Sequence, residues 1–306
     1  MDQEQEEDRT LRNFIEWAGI DLEDVCSEKR VGWAALQRTA GFDVPEPGPE
    51  EERLQKGVGR LLHLDNVERI DTLLSCAQSG ELPTTERERR MLWMALVTLW
   101  SGKAAPESLE KAWAGLRSCP ALVAELLETL PILRDRITHI GHPIPDADVP
   151  LEIGATYARD EILAAFGALR PEREYFSHRS GPWWHEPTQT EVLFITLRKT
   201  EKDYSPETMY RDFAISPELF HWESQHSTAI ASKAGQRYIH QRTNGARILL
   251  AVRESKQDPW GATMPYVLLG PADYVTHEGE RPIAITWRLQ RPIPAEVFER
   301  FKVAAA

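Results

Sequence analysis

Apolar residues in the first half of the chain recur at the spacing of amphipathic helices. Gly41, Gly80 and Gly102 each follow the last apolar residue of such a segment, where C-terminal caps are expected. Thr85 stands at an N-cap position, and a linker rich in proline and glutamate covers residues 43–52. The pattern predicts helices in RTLRNFIEWAGI, EKRVGWAALQRTAGF, LDNVERIDTLLSCAQSG and TTERERRMLWMALVTLWSG, and two more around 107–118 and 120–134.

The pattern changes to that of strands after a connector at 141–153 and one further helix, TYARDEILAAFG. EVLFITLRK reads as a strand buried on both faces, and RPIAITWRL alternates between two faces. QRYIHQR and ARILLAVRE flank Asn244-Gly245, which predicts a β-hairpin, while Gly270-Pro271 predicts a bend or bulge. PAEVFERF predicts a closing helix. The fold class is therefore α+β: an N-terminal all-helical domain over residues 1–150, then a curled mixed β-sheet or β-barrel domain over residues 151–306.

The segment DYSPETMYRDFAISPELFHWESQ, residues 203–225, packs five aromatic rings among signals for helix starts. Ser205 and Ser216 each precede Pro-Glu, which is typical of an N-cap followed by proline at the first helical position. We expect two short helical turns followed by an extended LFHWESQ. In that extension Phe220, Trp222 and Ser224 point to one side.

Charge divides the chain in the same place as the pattern. The net charge is −12; residues 1–150 hold 17 basic and 28 acidic residues, a net of −11, which leaves −1 for the remainder. An acidic half is poorly suited to bind a polyanion, whereas a near-neutral half can bind one through a basic face. Three widely spaced cysteines indicate neither a disulfide framework nor a zinc site. The polar N-terminus and the absence of a long apolar run predict a cytoplasmic protein without a membrane span.

Catalytic motifs are absent: the chain contains no GxxxxGK[ST], GxSxG, HExxH or GxGxxG. We therefore expect no catalytic residues, no metal and no cofactor. Aromatic rings with a few fixed polar groups are suited to an extruded base. The candidate base pocket is Tyr204, Tyr210, Asp212, Phe213, Trp222, Ser224, Gln225, Trp183 and Trp184, with Ser227 and Thr228 as further polar groups. The candidate phosphate-binding residues are Arg198, Lys199, Lys202, Arg211, Lys233, Arg237 and Arg242. The alternative is that most of these rings belong to the core.

Several stretches resemble a known family. YARDEILAAFG, TLRKTEKDYSPETMYRDFAISPELFHWESQ, GQRYIH, ILLAVRE and HEGERPIAITWRL resemble the C-terminal domain of unknown function of bacterial superfamily II helicases, including restriction enzymes that cut only methylated DNA. The resemblance runs from about Leu61 to Pro294. It implies recognition of 5-methylcytosine and kinship with PUA-like readers of modified bases, the group of the SRA, EVE and YTH domains. The motor and the phospholipase-D-type nuclease of those enzymes are not found in this sequence, so we expect recognition without restriction activity.

These observations predict a non-catalytic protein that recognises 5-methylcytosine in double-stranded DNA by flipping the base into an aromatic pocket. Three alternatives remain open at this point. The chain could be a nuclease or another enzyme with an unrecognised site, a PUA-like binder of modified RNA, or a scaffold whose helical domain binds a protein partner.

Overall fold

The computed structural model describes residues 9–101, 105–170, 178, 181–198, 212–258 and 261–305. The chain divides into two compact units. The helical unit comprises Met1–His139, Asp148–Pro150 and Asp160–Ser177, and the sheet unit comprises Ile140–Ala147, Leu151–Arg159 and His178–Ala306. The chain thus passes more than once between the two units before it enters the main sheet.

The helical unit is built from amphipathic helices that pack around one largely buried helix. Its helices are α1 (Leu11–Ala18), α2 (Leu22–Cys26), α3 (Trp33–Thr39), α4 (Glu51–Arg60), α5 (Val67–Ser79), α6 (Glu86–Leu99), α7 (Leu109–Arg117), α8 (Pro120–Asp135) and, from its second residue onward, α9 (Arg159–Ala165). The predicted cap of α6 is confirmed, because the Thr85 side chain accepts a hydrogen bond from the Glu88 amide. Every residue of α6 from Met91 to Leu99 is buried, so this helix lies at the centre of the core.

The described part of the sheet unit forms a two-stranded sheet and an eight-stranded sheet. Its strands are β1 (His142–Pro143), β2 (Glu152–Ile153), β3 (Thr156–Tyr157), β4 (Gly181–His185), β5 (Thr190–Thr196), β6 (Phe213–Ala214), β7 (Leu219–Glu223), β8 (Arg247–Arg253), β9 (Tyr266–Glu278) and β10 (Ala284–Leu289). Strands β1 and β2 pair with each other, the large sheet runs β4-β5-β8-β9-β10-β7-β6, and β3 pairs with β9. Strands β4 and β6 end this order, so the described strands form an open sheet and not the closed barrel that the pattern allowed.

Among the described strands, β5 and β8 form the pair that runs parallel. Thr190 to Thr196 are all buried, which confirms the prediction of a strand covered on both faces. The register shifts between Leu250 and Ala251, opposite Gly270, and Gly270 has a φ of 90°. The predicted bulge at Gly270-Pro271 is therefore confirmed, and an isoleucine from β2 packs where a Cβ of Gly270 would lie.

The predicted hairpin around Asn244-Gly245 is wrong. Residues before it form α10 (Lys233–Ile239) and α11 (Gln241–Asn244), and Gly245 ends α11 in the left-handed conformation. The Asn244 amide donates to the carbonyls of Gln236 and Arg237. A hairpin turn and a helix C-cap both require positive φ, so the same dipeptide serves either. Tyr238 is buried in the core on one face of the sheet, and this burial stabilises the helix that carries it.

One face of the sheet holds the main core of this unit. It is formed by alternate residues of β5, β8, β9, β10 and β7 together with Tyr238 of α10 and with Phe301 and Ala304 of the closing helix α12 (Ala295–Ala305). Ile283, Ile285, Trp287 and Leu289 are all buried there, which confirms the predicted alternation and the closing helix.

The aromatic-rich segment is described from residue 212 onward. There it forms the β6–β7 hairpin, and the Ser216 hydroxyl accepts hydrogen bonds from the amides of Glu218 and Leu219 in the turn. The second Ser-Pro-Glu therefore caps a tight turn and not a helical turn. The first, at Ser205, lies outside the described residues.

Candidate functional site

A pocket of about 600 Å³ opens beside the edge strand β4. It lies wholly within the sheet unit. One wall comes from β4 and the residue that follows it, and the other comes from α10, α11 and the residues before them. The lining residues are Trp184, Glu186, Ala231, Lys233, Gln236, Arg237, His240 and Asn244.

Helical periodicity places the second wall. Lys233, Gln236, Arg237 and His240 follow the i, i+3, i+4, i+7 spacing of one helix face. Ser232 caps this helix by accepting from the Gly235 amide. Gly235 faces the opposite way, where an added Cβ would lie 2.2 Å from the Ala229 carbonyl oxygen. The helix can therefore approach the preceding loop only with glycine at that position.

The centre of the pocket is a tryptophan stacked with an arginine. The Arg237 guanidinium carbon lies 4.3 Å from the centre of the Trp184 ring, and the Trp184 indole N–H donates to the Glu186 carboxylate. Arg237 Nε and Nη2 contact one oxygen of Glu191, at 2.9 and 2.8 Å. The indole and the guanidinium are thus each held by a carboxylate, and both planes keep a fixed orientation.

Glu191 connects this stacked pair to the core. It lies opposite Trp184 in the β4–β5 ladder and is 3% exposed. Its second carboxylate oxygen accepts a hydrogen bond of 3.0 Å from the Tyr238 hydroxyl. Tyr238 is itself buried against Trp222 and Trp287, which meet it edge to face. The arginine of the pocket is therefore anchored through one carboxylate to the aromatic core.

Burial dominates the electrostatics of this chain of contacts. It raises the pKa of Glu191, against the opposing effect of the Arg237 charge. Burial next to Glu191 also raises the pKa of Tyr238 well above its ordinary value. At the rim, the indole hydrogen bond from Trp184 lowers the pKa of Glu186. Tyr238 thus stays a neutral donor, and the pocket presents a flat stacked surface with a fixed cation.

Three of the residues predicted from the sequence meet in this pocket: Trp184, Lys233 and Arg237. Lys233 is exposed, and Trp184 is partly buried. Arg242 lies exposed on α11, directly after the helix that forms the wall. Arg198 is exposed just after β5, where its amide donates to the Glu254 carbonyl.

The other aromatic candidates are placed differently. Trp222 is 5% exposed and packs in the core, so it does not line the pocket. Trp183 is buried and stacks on His185, with ring centres 5.3 Å apart. Phe213 is exposed on the edge strand β6, where it stacks on His221. The structure therefore separates these rings instead of gathering them.

The polar candidates mostly hold backbone segments together. The buried Asp212 accepts from the Glu223 amide at 3.0 Å, and the Ser224 hydroxyl accepts from the Ile283 amide at 2.9 Å. The Gln225 side chain lies against Gly181, so that an added Cβ there would meet its amide nitrogen at 2.4 Å. Ser227 is exposed and Thr228 is buried. The remaining candidates, Tyr204, Tyr210, Lys199, Lys202 and Arg211, lie outside the described residues.

Sequence reasoning missed several residues of the pocket and of its support. They are Glu186, Ala231, Gln236, His240 and Asn244 in the lining, and Glu191 and Tyr238 behind it. The signal that identifies the helical wall is present in SKAGQRYIHQ, where a serine cap precedes polar residues at helical spacing. The adjacent Asn244-Gly245 is a strong hairpin signal and favoured a strand over this helix.

The described residues contain no group of three or more His, Cys, Asp or Glu side chains that could hold a metal ion. In the same part of the chain, no helix combines the length and the apolar character that a membrane crossing requires. The three cysteines are free and buried, and burial raises the pKa of Cys76 to about 11.

Comparison with known proteins finds a family model for much of the second half of the chain. The model of the Domain of unknown function (DUF3427) matches residues 151–301. This agrees with the domain of unknown function that the sequence resembles, whereas the helicase and restriction-enzyme context stays a prediction. No curated protein matches the chain. Among solved structures, the crystal structure of Arabidopsis thaliana SUVH6 in complex with SAM, form 2, matches at 14% identity with a TM-score of 0.31. The match covers 74% of this chain and 40% of that one.

Proposed function

We propose that the chain is a non-catalytic reader of DNA that binds a flipped 5-methylcytosine in the Trp184 pocket. The observation that carries this proposal is the stacked Trp184–Arg237 pair, held by Glu186 and Glu191 beside the exposed Lys233. Flat rings and guanidinium planes are the surfaces on which extruded bases stack. The proposal keeps the function inferred from the sequence and centres its base pocket on Trp184, one of the nine candidate pocket residues.

The pocket offers different groups to a base and to a phosphate. Polar side chains of Gln236, His240 and Asn244 line it within reach of a base edge. Asn244 already donates to two carbonyls of α10, so its remaining capacity is small. Lys233 is exposed at the start of α10, and an exposed ammonium is suited to a backbone phosphate. Recognition of the base would therefore rest on stacking more than on a full set of hydrogen bonds.

If the base is held mainly by stacking, its methyl group makes only a modest contribution to the preference for methylated DNA. Burial of one methyl group contributes about 0.8 kcal/mol, and pockets that differ by a methylene discriminate by about 10- to 200-fold. We therefore expect a preference for methylated over unmethylated DNA within that range, provided that the pocket closes around the methyl group.

The test is fluorescence anisotropy of the full chain with two duplexes that differ only in one central 5-methylcytosine. We expect the methylated duplex to bind at least about tenfold more tightly. An RNA of the same sequence as competitor distinguishes a reader of modified RNA, and incubation with Mg²⁺ followed by gel analysis distinguishes a nuclease. Equal affinity for both duplexes would refute methyl recognition.

Trp184→Ala locates the site, and Trp17→Ala is its matched control. Trp17 is 84% exposed on α1 of the helical unit. Both variants remove an indole, but only Trp184 lines the pocket. We expect weaker DNA binding in Trp184→Ala and unchanged binding in Trp17→Ala. Equal affinities of the two variants would move the site away from this pocket.

A further inference from the structure

A second polar cluster lies at the carboxyl end of the parallel strand pair. Arg253 ends β8, Thr196 ends β5, and the two residues are partners in the ladder. Tyr266 begins β9, and Arg159 begins α9. Both guanidinium groups lie against the Tyr266 ring, with their carbons 4.5 Å (Arg253) and 6.0 Å (Arg159) from its centre. We call Arg159, Arg253 and Tyr266 the arginine–tyrosine cluster.

Arg253 is a buried cation held by neutral groups. The residue is 5% exposed. Its Nε donates to the Thr196 hydroxyl at 3.0 Å, and its Nη1 donates to the Met264 carbonyl at 3.1 Å. Within the described part of the chain, its Nη2 makes no hydrogen bond. One donor of a buried guanidinium is thus left for another acceptor.

Arg159, which is partly buried, contacts the same tyrosine and is also held by neutral groups. Its Nη1 donates to the His178 carbonyl at 2.9 Å, and its Nη2 donates to the Tyr266 hydroxyl at 3.1 Å. Its Nε is buried and has no hydrogen-bond partner among the described residues. The Tyr266 hydroxyl accepts from Arg159, so its own proton remains available for donation.

Neither arginine forms an ion pair with a carboxylate in the chain as described, which sets them apart from their neighbours. Arg237 pairs with Glu191, and Arg247, at the other end of β8, pairs with Asp146 at 3.0 Å. Buried charges in proteins are normally paired, because the loss of hydration is otherwise uncompensated. Arg253 is buried and Arg159 is partly buried, and among the described residues neither has a counter-charge, so a bound anion would compensate both.

We propose that the arginine–tyrosine cluster binds a phosphate group. Guanidinium groups match the geometry of phosphate oxygens through paired N–H donors, and the tyrosine hydroxyl adds a neutral donor. The site is distinct from the Trp184 pocket: residue numbers of the same parity share a face of β5, so Thr196 faces away from Glu191. The phosphate can belong to a nucleic-acid backbone or to a free nucleotide, and both present the same oxygens.

The experiment is calorimetric titration of inorganic phosphate into the full chain at constant ionic strength. We expect binding by the wild type and a loss of about tenfold or more in Arg253→Gln, since a hydrogen bond to a charged group is removed. Arg253→Lys should lose less, because it keeps the charge. Arg247→Gln is the matched control: the same residue type on the same strand and face, but already paired with Asp146. It should bind phosphate like the wild type.

Circular dichroism establishes that each variant is folded, and Arg159→Gln replaces Arg253→Gln if the latter does not fold. Absence of phosphate binding in the wild type, or equal binding by wild type and both cluster variants, would overturn the proposal. Thymidine 5′-monophosphate and a short duplex then distinguish the two sources of phosphate. Trp184→Ala should bind inorganic phosphate normally, so failure of the pocket as a base reader and failure of this cluster are separate results.

Discussion

Trp222 and Trp184 are two tryptophans of the sheet unit with opposite expected roles. Trp222 is 5% exposed and meets Tyr238 edge to face at 5.3 Å. Trp184 is partly buried, lines the pocket and stacks on Arg237. Replacement of each by alanine should therefore affect stability in one case and binding in the other.

Trp222→Ala removes a ring from a close-packed core. Truncation of a buried Phe or Trp costs about 3–5 kcal/mol. For a unit of this size, each kcal/mol lowers Tm by about 2–4 °C, so the expected decrease is about 6–20 °C. The fraction that stays folded should bind methylated DNA with unchanged affinity, because Trp222 lies outside the pocket.

Trp184→Ala removes a stacking surface instead. Loss of a base-stacking ring costs about 1–3 kcal/mol of binding free energy, which corresponds to about 5- to 160-fold weaker affinity. Its Tm should change far less than that of Trp222→Ala. The assay is thermal unfolding by circular dichroism together with anisotropy on the methylated duplex. A Trp222→Ala variant that melts like the wild type, or a folded Trp184→Ala variant that binds like it, would refute the corresponding assignment.

Three further predictions follow from the same structure. If about four phosphates are contacted, the logarithm of the DNA-binding constant should fall with the logarithm of salt concentration at a slope near −3 to −4, measured by anisotropy; a slope near zero would exclude such contacts. Gly270→Ala should destabilise by about 1–3 kcal/mol in urea unfolding, since Gly270 has positive φ and an added Cβ would lie 2.7 Å from the Ile153 side chain. Gly245→Ala, with positive φ but open space around it, should cost less, and equal costs would contradict the steric argument. Burial raises the pKa of Glu191 in the folded state. At pH values just above the usual glutamate pKa, the folded state therefore keeps a proton that the unfolded state has released, and the free energy of unfolding should fall as the pH rises. In Glu191→Gln the free energy of unfolding, measured with urea at a series of pH values, should not show this decrease. Identical pH profiles of the variant and the wild type would contradict the assignment to Glu191.

The elements that the sequence predicted correctly are those with strong periodic burial. The α6 helix and strands β5 and β10 bury long continuous or alternating sets of apolar residues, and such patterns allow one secondary structure. The bulge at Gly270 was also predictable, because a glycine-proline pair inside an apolar run seldom continues a regular ladder.

The error at Asn244-Gly245 shows where local signals are insufficient. Both flanks of the dipeptide carried residues compatible with a strand, and the turn preference fitted a hairpin. The outcome depended on a partner distant in the sequence: β8 pairs in parallel with β5, which a hairpin with the preceding segment would prevent. Non-local pairing of this kind leaves no signal in a short window.

The pocket could be predicted only in part for the same reason. Trp184 and Arg237 were each among the candidates predicted from the sequence, but their stacking depends on where α10 packs relative to the edge strand β4. Glu191 is the residue that determines this geometry. It is a carboxylate in a strand that is otherwise buried and largely apolar, and its two oxygens contact Arg237 on one side and Tyr238 on the other. A charge at such a position is costly unless it is paired, so the conflict between Glu191 and its strand is itself a sign of a partner arginine. Since the paired arginine is anchored to the core, it loses little freedom when a ligand stacks beside it, which is the condition for tight binding in a small pocket.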